Sequence, residues 1–222
     1  MYGYIAYHTA EEPLYRVVSG VRFHAVYVAA GESLRARLSA RAAARALGRE
    51  GVRCAVFPPD YPYREAFAHR GIASPPLAPL YRATAAVIAR RWLSQRGVAP
   101  RSATVAFAAA SATPELRRAA EALCAEVRYI ALAVPRGGAE LARLLKREHG
   151  VAARRIEPCA PLRADLIVDF DGAAAGENVL RLDETLRVAY DSELPHELLA
   201  ALWHVGALDA GTLGVEAVGA AD

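Results

Sequence analysis

The sequence predicts an α/β fold with a mainly parallel sheet. Short apolar runs rich in β-branched and aromatic residues alternate with longer segments of helical period. Two of these alternations are complete, since residues 22–57 and 103–133 each read as strand, helix, strand. Such units place two strands side by side and parallel, with the helix as crossover. Ala103–Ala110 and Val127–Ala133 are therefore expected to be parallel neighbours in one sheet.

Composition bounds the reading before any motif does. A chain of 222 residues, 54% of them hydrophobic, is long enough to bury a substantial core in one large domain or two lobes. All but one of the 27 basic residues are arginine, Lys146 being the exception, and a G/C-rich genome accounts for such a bias as readily as function does. A formal charge of +3 permits an anionic ligand without calling for a nucleic-acid partner. Three widely spaced cysteines, Cys54, Cys124 and Cys159, are read as free thiols. The N-terminus lacks the basic and apolar regions of a signal peptide, and no run of eighteen apolar residues occurs, so the expectation is a soluble cytoplasmic protein with no membrane segment.

Tyr2–Tyr7 and Arg22–Val28 alternate aromatic or β-branched residues with smaller ones, which predicts two strands. Ser33 is placed to cap a helix over Leu34–Arg49, with Leu34, Leu38, Ala42, Ala46 and Leu47 as its expected buried stripe. Arg37, Arg41, Arg45 and Arg49 recur every fourth residue and form one surface band, which a phosphate backbone could use and which reads more simply as the solvated face of the helix, since no aromatic stacking residues interleave it. Val52–Phe57 is the next strand. At its carboxyl end Phe57-Pro58-Pro59-Asp60-Tyr61-Pro62-Tyr63-Arg64-Glu65 makes a stiff loop where a parallel sheet places ligands. Asp60, Tyr61 and Arg64 are the ligand-binding candidates there, with His69 one turn beyond.

A proline-rich connector, residues 71–79, leads to one long helix over Leu80–Arg96. The strand Ala103–Ala110 then runs into Ala108-Ala109-Ala110-Ser111-Ala112, with Thr113 as N-cap and Pro114 at the first helical position. Backbone N–H groups at such a helix start can receive an anion, which makes Ser111 and Thr113 cofactor-binding candidates. Ala139–His149 is the next helix, stopped by Gly150. A short strand near Arg155–Glu157, a clearer one at Asp165–Phe170, a candidate short strand at Val179–Leu182, a helix over Pro195–Leu208 and a weak strand at Leu213–Val218 complete the chain. His196 and His204 lie two turns apart on that last helix and make no metal motif.

With these elements in place, Ser102–Asp171 resembles the nicotinamide-binding half of the shikimate, amino-acid and folate dehydrogenase group, over about a third of the chain. The resemblance implies a Rossmann-like C-terminal half beside a smaller N-terminal α/β portion. It also implies NADP as candidate cofactor, with Arg136, ahead of Gly137-Gly138, where those families meet the extra phosphate. Two departures matter. The first turn has none of the glycines that let a pyrophosphate approach the backbone, and the N-terminal half has no Lys for a Lys–Asp catalytic pair. Asp169-Phe170-Asp171-Gly172 also resembles the first motif of the haloacid-dehalogenase phosphatases, but no downstream Lys follows, so the two aspartates are read as ending a strand.

The resulting expectation is an α/β protein that binds a small anionic metabolite or nucleotide at the strand carboxyl ends, with NADP-dependent oxidoreductase and a purely structural role as alternatives. No catalytic residue or metal ligand is assigned. The expected division is 1–79 as N-terminal portion, 80–97 as connecting helix, 98–190 as Rossmann-like domain and 191–222 as helix and tail. Tyr2, Tyr4, Tyr7, Tyr15 and Tyr27 make the N-terminal end rich in phenols, and with the terminal helix they suggest a homo-oligomer.

Overall fold

The computed structural model describes residues 1–9, 11–157, 163–176 and 178–220. Cys159 lies outside the described residues. The first elements are β1 (Tyr2–Tyr7), β2 (Tyr15–Val18), β3 (Val21–Val28), α1 (Leu34–Arg49), β4 (Cys54–Val56) and α2 (Arg64–Ala68). Next come α3 (Ala78–Ala83), α4 (Ala85–Gln95), β5 (Thr104–Ala108), α5 (Pro114–Cys124), β6 (Tyr129–Ala133) and α6 (Gly138–His149). The chain continues through β7 (Arg154–Arg155), β8 (Leu166–Asp169), β9 (Val179–Arg181), β10 (Leu186–Tyr190), α7 (His196–His204) and β11 (Val215–Ala220). These elements form two compact units, one of Met1–Leu77 with Glu193–Asp209 and one of Ala78–Ser192 with Ala210–Asp222.

The first unit is built on a four-stranded sheet in the order β2-β3-β1-β4. β1 lies between β3 and β4 and is parallel to both, while β2 pairs antiparallel with β3. The hairpin between β2 and β3 turns on Ser19 and Gly20, both at positive φ, the geometry of a tight two-residue turn. Strand β2 was not among the expected elements, although this Ser-Gly pair is its signal. One sheet face packs Ile5, Val26 and Ala55 against Ala40, Ala43, Ala44 and Leu47 of α1. The other face sets Phe23 and Val56 against Leu198, Ala201 and Leu202 of α7.

Helix α1 has the expected bounds and cap, Ser33 Oγ accepting the Ala36 N–H at 3.2 Å, but its buried stripe is different. Ala36, Ala40, Ala43, Ala44 and Leu47 are buried, whereas Ala42 and Ala46 are exposed and Leu34 and Leu38 are 72% and 53% exposed. The reason is steric. A Cβ on Gly3 of β1 would lie 3.0 Å from both Leu47 Cδ1 and Ala55 Cβ, so the helix rests so close to the sheet that alanines suit most of the contact.

The second unit carries an all-parallel sheet in the order β7-β6-β5-β8-β9. Val105 pairs with Ile130 on one side of β5 and with Leu166 on the other, as expected for parallel neighbours. The chain starts at the central strand, moves outward through β6 and β7, then returns to the opposite flank of β5 for β8 and β9. The fold is α/β with a Rossmann-like sheet, and the reversal puts its topological switch point between β5 and β8. Ala106, Ala108, Ala131, Ile167 and Ala174 form one of its apolar clusters.

The expected long helix over Leu80–Arg96 is interrupted at Thr84 into α3 and α4. The buried Thr84 hydroxyl donates back to the Leu80 carbonyl at 2.9 Å and meets Tyr190 OH at 2.8 Å, a back-bonding pattern that bends helices. Pro79 sits in the first turn of α3, where its missing N–H is tolerated. The short strand expected near Arg155–Glu157 is Arg154–Arg155. The tail strand β11 pairs antiparallel with β10, which was not among the expected strands. Among the described residues no helix is long and apolar enough to cross a membrane.

Candidate functional site

In the second unit the strand ends at the switch point are shaped by two aspartates. Asp169, 1% exposed, ends β8 and accepts three backbone N–H groups: Asp171 at 3.1 Å and Gly172 at 3.0 Å on Oδ1, and Ala174 at 2.8 Å on Oδ2. The strand-ending role expected of it is therefore structural, folding the following loop around one carboxylate. Asp171 Oδ2 accepts the Ala110 N–H at 2.6 Å. A carboxylate thus occupies one of the donors in the turn after β5 to which a bound phosphate would otherwise be directed.

On the β6 side the same turn is open to a different chemistry. Ser111 and Arg136 form a parallel bridge that extends the β5–β6 pairing past the strand ends, and the Ala112 N–H donates to the Arg136 carbonyl at 2.9 Å. Thr113 caps α5, its hydroxyl accepting the Leu116 N–H at 3.3 Å. Ser111, Thr113 and Arg136 are thereby brought to one edge of one sheet. The guanidinium of exposed Arg136 reaches only the Ala110 carbonyl, at 3.4 Å, and among the described residues no carboxylate pairs with it. Gly137 follows at φ +79°, and a Cβ there would meet Ala112 Cβ at 3.1 Å. The glycine that close approach requires is therefore in the second turn, not the first. A small cavity of about 220 Å³ beside it is lined by Ala112, Arg117, Gly137, Glu140, Leu141 and Leu144.

In the first unit Asp60, Tyr61 and Arg64 share a loop but not an environment. Asp60 is exposed and takes a left-handed conformation, φ +52°, which Asp tolerates better than most side chains. Tyr61 is only 3% exposed, its ring among those of Tyr7, Phe57, Tyr63 and Phe67, and its buried hydroxyl has no hydrogen-bond partner. Burial, reinforced by the neighbouring Tyr7 and Tyr63 phenols, pushes that hydroxyl's pKa up to about 12. Arg64 donates to Ser74 Oγ at 2.8 Å, pairs with Glu197 of α7 and stacks over Phe57, 4.9 Å from its ring centroid. Glu197 also accepts the Phe57 N–H at 2.8 Å, so it ties α7 to the end of β4. Sequence reasoning missed Glu197, which is separated from Arg64 by 133 positions and carries no local motif.

Two further groups bear on chemistry. Burial first, and the Glu197 carboxylate second, push the Cys54 thiol up to about 11, which keeps it protonated and unreactive near neutral pH. Glu121, Glu148 and His149 bring three ligand atoms within 4.8 Å of one another. Arg117 already donates to Glu121 at 2.8 Å and Arg147 to Glu148 at 2.9 Å, the latter contact lowering the Glu148 pKa. These carboxylates are neutralised by guanidiniums.

No protein-family model matches the chain, and no curated protein matches it.

Proposed function

We propose that the chain binds a small anionic metabolite or a nucleotide phosphate at the carboxyl edge of its Rossmann-like sheet, through Ser111, Thr113 and Arg136. The bridge between Ser111 and Arg136 carries this reading, because it brings a hydroxyl residue at the start of α5 beside an arginine that among the described residues has no carboxylate partner. Asp171 fixes the direction of approach. With its carboxylate on the Ala110 N–H, an anion is repelled from the β8 side and comes in from the β6 side. The neighbouring cavity of about 220 Å³ is lined by Ala112, Arg117, Gly137, Glu140, Leu141 and Leu144 and not by these three residues, so the anion is held at the open sheet edge and not enclosed. In the other unit we assign Tyr61 and Arg64 to holding the loop that presents Asp60.

The NADP-linked oxidoreductase is the second reading, favoured by one observation, that Arg136 follows β6 as the residue meeting the 2′-phosphate does in the resembling dehydrogenases. Titration calorimetry with inorganic phosphate, AMP, NADH and NADPH separates the readings. Binding of phosphate and AMP that falls about 10- to 100-fold in Arg136→Ala supports the first, since a charge-assisted hydrogen bond is worth ~1.5–3 kcal/mol. NADPH preferred over NADH, with the preference lost in the same variant, moves the second ahead. Absence of heat and of thermal protection with all four ligands refutes both.

A further inference from the structure

Helix α1 carries Arg35, Arg37, Arg41, Arg45 and Arg49 and no acidic residue in its 16 positions. Helices α4, α5 and α6 each pair at least one arginine, although among the described residues Arg91 and Arg118 on them form no ion pair. Arg117 pairs with Glu121 within α5, Arg143 with Glu140 and Arg147 with Glu148 on α6, and Arg90 of α4 with Glu126. Among the described residues no carboxylate forms an ion pair with any arginine of α1. An arginine-rich composition affects every helix and does not explain an unpaired series on one. Arginines four apart face the same side and repel, so the band is retained against its own electrostatics.

The fold adds what the helix alone lacks. Arg41 and Arg45, one turn apart, share a concavity of about 340 Å³ with His69 and Arg70 from the end of α2, and Leu38 and Ala66 supply its apolar lining. Three arginines from two segments thus line one open groove. Glu65, one turn before His69, forms no ion pair with them.

We infer that this groove binds a diphosphate group. A single phosphate carries about −1.5 to −2 at neutral pH, which three guanidiniums exceed and a diphosphate matches. Arginine's planar fork grips phosphate oxygens two at a time, and neighbours one turn apart can hold adjacent phosphoryl groups. A nucleic-acid strand would follow the whole band from Arg37 to Arg49 and use aromatic platforms for its bases. The groove instead gathers Arg70 toward Arg41 and Arg45, and no Phe, Tyr or Trp lines it. This site belongs to the first unit and is independent of the Arg136 edge.

The test is calorimetric titration with sodium pyrophosphate, at low and at physiological salt, of the full chain carrying Arg136→Ala, which removes the anion site proposed at the other sheet edge. One saturable site is expected, weakened about tenfold or more in the Arg41→Ala, Arg45→Ala double variant and also in Arg70→Ala, which leaves α1 intact. The exposed control Arg143→Ala should leave it unchanged, and because Arg136 is absent from every chain titrated, failure here and failure at the other edge are read separately. Circular dichroism confirms that the variants remain folded. Absence of saturable heat, or pyrophosphate binding that survives in both groove variants, overturns the inference. So does displacement of pyrophosphate by oligothymidylates with affinity rising with their length, which would assign the groove to nucleic acid.

Discussion

Replacing Asp169 by Asn changes one atom and should cost the second unit about 3–4 kcal/mol. The carboxylate serves two N–H groups on Oδ1 and one on Oδ2, all three from the loop that follows β8. The better orientation of an amide keeps its oxygen on Asp171 and Gly172 and turns its NH₂ toward the Ala174 N–H, donor against donor at a separation now 2.8 Å. That removes one charge-assisted bond, worth ~1.5–3 kcal/mol, and weakens the other two to neutral strength at about 0.5–1 kcal/mol each. Water cannot readily compensate at a side chain that is 1% exposed. The chain offers a clean probe, because Trp92 lies in the second unit and Trp203 in α7 of the first. In a Trp203→Phe background, urea unfolding followed by Trp92 fluorescence should show the midpoint falling by roughly 1.5–2 M for an m-value near 2 kcal/mol/M. A loss below about 1 kcal/mol with m unchanged would refute the assignment of Asp169 as the organiser of this loop.

Stability should also decline in alkali. Burial raises Cys54 from 9.0 to about 11, and Tyr61 and Tyr81 each from 10.0 to about 12, so the folded state prefers the protonated forms. Their contribution is complete below the unfolded values, near pH 9, and is lost as pH rises through 11 and 12; thermal melting at about pH 8 and about pH 11 checks the sign, and an equal or higher midpoint at the upper value contradicts it. Gly3→Ala should destabilise the first unit by about 1–3 kcal/mol, since the new methyl meets Leu47 and Ala55 at 3.0 Å. Wild-type stability of this variant in denaturant melts would show that α1 can draw back from the sheet.

Strands with concentrated β-branched or aromatic residues, such as Tyr2–Tyr7 and Tyr129–Ala133, were legible, as were helix starts marked by Ser33 and Thr113 and the stop at Gly150. Helix α1 was legible in extent and misread in phase. Leucine is the stronger hydrophobic signal, yet Leu34 and Leu38 lie away from the sheet because the helix approaches it too closely for large side chains over most of its contact. The alternation of Leu186, Val188 and Tyr190 inward with Arg187 and Ala189 outward was present in the sequence, but five residues are too few to separate from a loop without the partner strand. For the candidate site, the neighbourhood of Ser111 and Arg136 follows from parallel pairing of two recognisable strands. The Glu197 anchor and the Asp171 hydrogen bond to Ala110 do not, since each joins segments remote in sequence through a single carboxylate with no periodic signature.

Each of the two units is assembled from two separate stretches of chain, and this has a consequence during synthesis. When the ribosome has released the first 77 residues, Phe23 and Val56 still await Leu198, Ala201 and Leu202, which are translated more than a hundred residues later. The nascent N-terminal sheet therefore waits with one apolar face uncovered while most of the second unit emerges, and that unit in turn lacks β11 until residues 215–220 have been translated. A stop codon placed after residue 192 would leave both units incomplete, and expression of residues 1–77 alone would yield a sheet without its α7 cover. A chaperone that shields exposed apolar surface has a defined interval in which to act, opening with the first sheet and closing when α7 arrives.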